Sequence, residues 1–277
     1  MLDAASVTQI VGLLSEGARL RRGGNPTAAE PLVREALALT ERRCPDDPDR
    51  ITAALNALGL VCKDLAKHDE GRAAYRRALA LLESAPSPDP DRIATLYHNL
   101  GGMEHARRNY LAGEPLARKG LEIRRRIARD DDPELAADLV ALAAILDGQR
   151  KFDEAESLYS EALRILEAAP DDNAAELGVA LNDLGAQCAQ RGQLDRAEEL
   201  LVRAVEVKTR RLGARHPDVA VSLNNLAFVH ERRGAEAARG EYGEALDILE
   251  HALGRDHPRA VDCRRNYERC LAVNSRM

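Results

Sequence analysis

Asn56, Asn182 and Asn224 stand at multiples of 42 residues from one another, with His98 and Val140 in the two places between. A side-chain amide donates and accepts hydrogen bonds at once, so a row of amides can pair with an extended peptide backbone. The same row can instead bridge neighbouring helices and set how they pack, and the residues alone leave both roles open. Seven positions beyond each member come Lys63, His105, Asp147, Ala189 and Glu231. On a helix that is two turns along the same face.

The remaining reactive residue types point away from catalysis. His98 and His105 would stand about 10 Å apart along a helix axis, too far to share a metal without further ligands. Asp130-Asp131-Asp132 precedes Pro133 and reads as a solvated turn and helix cap. Arg124-Arg125-Arg126 falls near a predicted helix C-terminus, where cations complement the helix dipole. The chain has no His-Glu-x-x-His, no glycine loop after a strand, no nucleophile elbow and no Cys-x-x-Cys. We therefore expect no catalytic site, no metal site and no cofactor.

The elements that must carry the amide row declare themselves by the same interval. Leu58, Leu100, Leu142, Leu184 and Leu226 keep the 42-residue spacing, as do Leu55, Tyr97, Leu139, Leu181 and Leu223 three residues earlier. One residue after the first series come Gly59, Gly101, Ala143, Gly185 and Ala227, all small. Downstream lie two more small columns seven residues apart: Ala29, Gly71, Gly113, Ala155 and Ala197, then Ala36, Ala78, Gly120, Ala162 and Ala204. Such agreement marks an internal repeat whose units bury surface against their neighbours. Within Leu181-Asn182-Asp183-Leu184-Gly185, the leucines and the glycine serve the fold, and Asn182 and Asp183 are the letters that could address a partner.

At 277 residues the chain is 45% hydrophobic but only 3% aromatic, with no Trp. Alanine and leucine must build the core, which suits close-packed helices. The formal charge of −6 comes from 46 acidic and 40 basic residues that are interspersed, which argues against a nucleic-acid partner. The longest apolar run, Leu139 to Leu146, is far too short to span a bilayer. The acidic start Met1-Leu2-Asp3-Ala4 is unlike a secretory signal. Cys44, Cys62, Cys188, Cys263 and Cys270 form no paired framework. These features together predict a reduced, cytoplasmic protein, and the alanine- and arginine-rich composition a bacterial one.

First helices are expected at about 49–66, 91–108, 133–148, 174–191 and 217–233, with partners at about 69–84, 112–129, 152–168, 194–211 and 241–253. Pro48, Pro90, Pro133, Pro217 and Pro258 sit at the starts of helices, where a missing amide proton costs least. Asp49, Asp91, Glu134 and Asp218 follow in the first turn, to cap or to favour the dipole. The units run at about 2–43, 49–84, 91–129, 133–168, 174–211 and 217–253, and a lone capping helix at 258–272. In the sixth unit, six residues from Ala235 to Gly240 read as an insertion in the turn, which aligns Ala204 with Ala252. That alignment leaves the unit clipped by two helical turns.

These columns resemble the tetratricopeptide repeat, and the 42-residue period resembles the subclass found in kinesin light chains. Leu223-Asn224-Asn225-Leu226-Ala227 matches the core motif of that subclass. Leu212-Gly213-Ala214-Arg215-His216-Pro217-Asp218-Val219-Ala220 matches its inter-repeat motif, echoed by Gly254-Arg255-Asp256-His257-Pro258. The turns at 86–90 and 169–173 lack the Gly and His-Pro, Val140 replaces an asparagine, and no heptad coiled coil precedes the repeats, so a motor role gains no support.

The resemblance implies an all-α, right-handed α-solenoid of about six helix-turn-helix units spanning 1–277 with a C-terminal cap. Its first helices would line a concave groove faced by the amide row. The residues it implicates in binding a partner are Asn56, Lys63, His98, His105, Asp147, Asn182, Asp183, Asn224, Asn225 and Glu231. The basic clamp of the family is reduced to Lys63 and Arg232. The groove is therefore expected to be basic to neutral at its first end and acidic, through Asp147, Asp183 and Glu231, at the other. The implied function is a non-catalytic scaffold that binds a peptide segment of another protein, with some positive charge toward the C-terminal half. A peptide- or ligand-sensing regulator, self-association through the array ends or through Cys263 and Cys270, and an unusual enzyme or metal-binding solenoid are the alternatives.

Overall fold

Pro48, Pro90, Pro133, Pro217 and Pro258 each open an α-helix in the computed structural model, which describes residues 4–168, 173–234 and 236–274. In chain order the helices are α1 (Ala4–Arg22), α2 (Pro26–Arg43), α3 (Pro48–Asp64), α4 (His68–Glu83), α5 (Pro90–Ala106), α6 (Tyr110–Ile127) and α7 (Pro133–Gly148). They continue as α8 (Phe152–Leu166), α9 (Ala174–Gln190), α10 (Leu194–Leu212), α11 (Pro217–Arg232), α12 (Ala237–Leu253) and α13 (Pro258–Asn274). No strand occurs among the described residues, and the chain is an all-α array of helical repeats. Of the expected turns, 169–172 and Ala235 lie outside the described residues.

The residue before each proline does the capping. Asp47 accepts from the Arg50 amide, Asp89 from those of Asp91 and Arg92, and His216 Nδ1 from that of Asp218. Asp132 Oδ1 accepts from the Glu134 amide at 2.9 Å, so the triple-Asp run supplies a helix cap. The capping role expected for Asp49, Asp91 and Asp218 passes to their predecessors, because a cap must precede the first helical residue. The later acids keep the dipole position.

Between the two helices of each repeat the backbone turns through one left-handed residue. These are Gly24, Ala66, Arg108, Arg150, Gly192 and Gly234, with φ of 80°, 58°, 58°, 63°, 78° and 70°. They are spaced by 42 throughout, so the repeat governs backbone conformation even where the residue is not glycine. At Ala66, Arg108 and Arg150 the neighbouring helices hold an L-residue in a region that costs it about 1–2 kcal/mol.

The chain forms two compact units, residues 1–129 with 144–150, and residues 130–143 with 151–277. In the first, the core gathers Val33, Leu55, Leu58, Tyr75, Leu79, Leu96, Leu100 and Met103. In the second, Ala220, Ala245, Ile248, Leu249, Ala260 and Cys263 form one cluster, and Ala227, Ala238, Tyr242 and Cys270 another. All five cysteines are buried, and none is in a disulfide. Burial pushes the thiols of Cys62 and Cys263 up to about 11, so neither is a thiolate near neutrality.

The glycine that follows the column leucine on a first helix pairs with the residue 16 positions further on. The Tyr75 ring fills the place of a Cβ on Gly59, and Leu201 Cγ lies 2.8 Å from where one on Gly185 would be. At Gly101 the partner is Ala117, whose own Cβ stands 3.2 Å from that place. Each missing methyl on a first helix is thus replaced by whatever its second helix supplies.

The sixth unit departs from the expected alignment. Ala237 to Gly240 belong to α12, and the buried small pair seven residues apart is Ala238 and Ala245, at 1% and 0% exposure. Ala238 and Ala245 lie 41 residues after Ala197 and Ala204, so the unit is one residue short and carries no six-residue insertion. Ala245 to Pro258 then spans 13 residues, the same as Ala204 to Pro217, and no turn is clipped. Alanines at 238, 245 and 252 all fit a seven-residue step. Only burial against α11 and α13 decides between them.

Candidate functional site

The amide row is carried by α3, α5, α9 and α11. Asn56, His98 and Asn182 each follow a buried leucine or tyrosine by one residue, and Asn224 follows the partly buried Leu223, which places each on the flank of its helix's packed stripe. Asn56, Lys63, His98, His105, Asp147, Asp183, Asn224, Asn225 and Glu231 are half-buried, and Asn182 is buried at 5% exposure.

In the first unit, Asn99 Nδ2 donates to Asn56 Oδ1 at 2.8 Å. Lys63 reaches over Gly102, where a Cβ would stand 3.2 Å from its ammonium nitrogen. The His105 ring meets that of Tyr110 at 5.5 Å between centroids, tilted by 53°. Among the described residues no group of three or more His, Cys, Asp or Glu side chains is placed to hold a metal.

In the second unit the same offset recurs. Asn225 Nδ2 donates to Asn182 Oδ1 at 3.1 Å, and Asn266 Nδ2 of α13 to Asn224 Oδ1 at 3.1 Å. In both units, therefore, an asparagine in the column after the row bonds back to the row of the preceding repeat. Asn99 and Asn266 are the members the sequence reading passed over. Their signal was the adjoining column: Ala57, Asn99, Ala141, Asp183, Asn225 and, after the short sixth unit, Asn266.

Glu231 is held inside the protein by partners the sequence did not reveal. It accepts from Tyr242 Oη at 2.9 Å and from Arg269 Nη2 at 2.7 Å and Nε at 3.2 Å. Burial disfavours its charge, but the bonds from Arg269 and Tyr242 prevail and hold its carboxyl below the usual range. The guanidinium groups of Arg232 and Arg269 both lie against the Phe228 ring, at 5.8 and 5.9 Å from its centre. The acidic far end read from the sequence is thereby offset at Glu231 by a cation on α13. Asp183, which accepts from Asn182 Nδ2 at 2.9 Å, is the row's remaining acid in this unit.

A tetratricopeptide repeat model matches residues 92–168 and 176–255, and a second one matches 52–81, so the matches span more than half the chain. No curated protein matches the sequence. Among solved structures, BtubC (BKLC) from P. vanneervenii is 21% identical over 90% of each chain, with a TM-score of 0.56. A Podosopora anserina protein described as a kinesin light chain with nearly identical TPR-like repeats is 19% identical, over 74% of this chain and 98% of its own, with a TM-score of 0.53. NprR in complex with its cognate peptide NprX is 14% identical, over 100% of this chain and 74% of its own, with a TM-score of 0.68. At such identities these likenesses are of fold. Together with the 42-residue columns and the paired helices, the matched segments show that the chain belongs to the tetratricopeptide repeat family, with repeats of the kinesin-light-chain-like kind.

Proposed function

We propose that the chain is a non-catalytic interaction scaffold whose first-helix amide rows hold an extended segment of a protein or peptide partner. One row comprises Asn56, Lys63, His98, His105 and Asp147 in the first unit. The other comprises Asn182, Asp183, Asn224, Asn225 and Glu231 in the second. The observation that most supports this reading is the repeat-spaced asparagine ladder. An amide has two protons and two lone-pair positions; the inter-helix bond engages one of the four at Asn56 and at Asn224, whereas Asn182 engages both lone pairs with Asn225 and Ser222 and one proton with Asp183. Linking helices and meeting a peptide backbone are thus compatible roles for one side chain.

NprR binds a cognate peptide and shares the fold over the whole of this chain, which supports a peptide as the occupant. The same likeness favours a second reading, that the chain senses a peptide as a regulator. A charge of −6 with both signs interspersed favours a cytoplasmic protein partner over nucleic acid. No helix among the described residues is long and apolar enough to cross a membrane.

Affinity capture from native lysate, read by mass spectrometry, tests the proposal. The wild type should retain one protein or peptide, and Asn56→Ala with Asn224→Ala should lose it while remaining folded. Equal capture by the double variant would sink the role of the rows. Light scattering over a range of concentrations tests the competing self-association reading, which requires mass to rise with concentration.

A further inference from the structure

Lys208 of α10 is only 4% exposed, in a column that holds Leu82, Leu166 and Leu249 in three other repeats and Thr40 and Arg124 in the remaining two. At the same two positions stand Leu82 with Leu96, Leu166 with Ala180, and Leu249 with Cys263, where this repeat has Lys208 with Ser222. Arg124 is the column's other charge. Three repeats therefore pack without a polar pair there, and burying an ammonium works against stability. Space for the lysine stem comes from Gly178, where a Cβ would stand 2.7 Å from Lys208 Cγ.

The ammonium begins a relay that ends on the candidate binding row. Lys208 Nζ donates to Ser222 Oγ at 2.8 Å and to the Asp218 carbonyl oxygen at 3.3 Å. Ser222 Oγ donates to Asn182 Oδ1 at 2.9 Å, and Asn182 Nδ2 donates to Asp183 Oδ1 at 2.9 Å. Both ends are one-signed: an ammonium only donates and a carboxylate only accepts. Ser222 Oγ has one proton and two acceptors in reach, Asn182 Oδ1 at 2.9 Å and the Asp218 carbonyl oxygen at 3.5 Å; given to the nearer one, it runs every bond from lysine to aspartate. The same orientation makes Asn182 Oδ1 the acceptor for Asn225 Nδ2, which turns the Asn225 carbonyl oxygen away from Asn182.

We propose that Lys208 is a positioning residue that fixes the hydrogen-bond polarity of the second row, so that Asn225 and Asp183 face a partner as acceptors. The row would then favour segments rich in donors, such as free backbone amides and lysine or arginine side chains. This consequence rests on the peptide-binding reading, whereas the relay does not. Burial weakens the hold of Lys208 on its proton, Asp218 and Asp183 strengthen it, and Arg259 opposes them.

The relay is tested by NMR of the side-chain amides in labelled wild type, Lys208→Met and Ser222→Ala, with Asn182→Ala assigning the signal. In the wild type the Asn182 protons should exchange slowly with water. In both relay variants exchange should be at least about ten-fold faster, with the backbone amides of Leu184 and Leu226 unaltered. Unchanged Asn182 exchange beside a lowered Tm would show a structural lysine only and overturn the proposal. If Lys208→Met does not fold, Ser222→Ala decides by the same signal. Peptides selected on the wild type from a random library supply a separate arm. They should carry Lys or Arg and bind Lys208→Met about ten-fold more weakly. Equal binding overturns the selectivity. If the wild type selects no peptide, the binding reading fails with its consequence, while the exchange data still decide the relay.

Discussion

The ring of Tyr75 occupies the space that a Cβ on Gly59 would need. Tyr75 is fully buried and packed in the first unit's core, so it has no alternative position to take. Gly59→Ala should therefore destabilise the protein by about 2–3 kcal/mol, despite the better helix propensity of alanine. Urea unfolding would measure the loss, and Gly59→Ala with Tyr75→Leu should recover part of it. A single variant as stable as the wild type would contradict the pairing.

The left-handed turn column makes an opposite forecast. Ala66 sits at φ 58° with Gly24 and Gly192 at the equivalent places. Ala66→Gly should raise stability by about 0.5–1 kcal/mol, since relief of strain outweighs the added freedom of the unfolded chain. Thermal unfolding of Ala66→Gly beside Gly192→Ala provides the comparison, with the second shifted down. A fall in Tm for Ala66→Gly would refute the strain argument.

The register of the sixth unit can be checked by size. Ala245 is fully buried, whereas Ala252 is half-buried. Ala245→Leu should cost about 1–3 kcal/mol by overpacking, and Ala252→Leu much less. The reverse ranking in denaturant melts would restore the alignment of Ala252 with Ala204.

Glu231 carries a pH dependence with a definite sign. Its folded-state carboxyl titrates below the ordinary value of 4.5, so its contribution is present above about pH 4.5 and fades as pH falls through the lower folded value. Arg269 is 46% exposed, which limits the pair to about 1 kcal/mol or less. Arg269→Met should lower stability at pH 7 and flatten its dependence below pH 4.5. An unchanged acid limb would mean that the ion pair does not hold the carboxyl. Charge reversal at Glu231 also breaks the bonds to Tyr242 and α13, and at Asp183 the bond from Asn182, so neither variant probes charge in partner binding alone.

The sequence by itself determined the repeat and the kind of fold. Leucine and small columns at 42 residues can be satisfied only by helices that pack in the same way each time, and prolines after Asp or His mark where they start. It also placed Asn56, Asn182 and Asn224 at the same position of their own repeats, because helical periodicity fixes the face of each residue. Tertiary structure decided which side chains meet across helices. A seven-residue step allows Ala238, Ala245 and Ala252 alike, and only the neighbouring helices select the buried pair. The bonds of Asn225 to Asn182 and Arg269 to Glu231 join residues 43 and 38 apart, and Lys208 reaches Ser222 through the space left at Gly178. Such meetings depend on the rotation and separation of packed helices, which the pattern along a single chain does not encode.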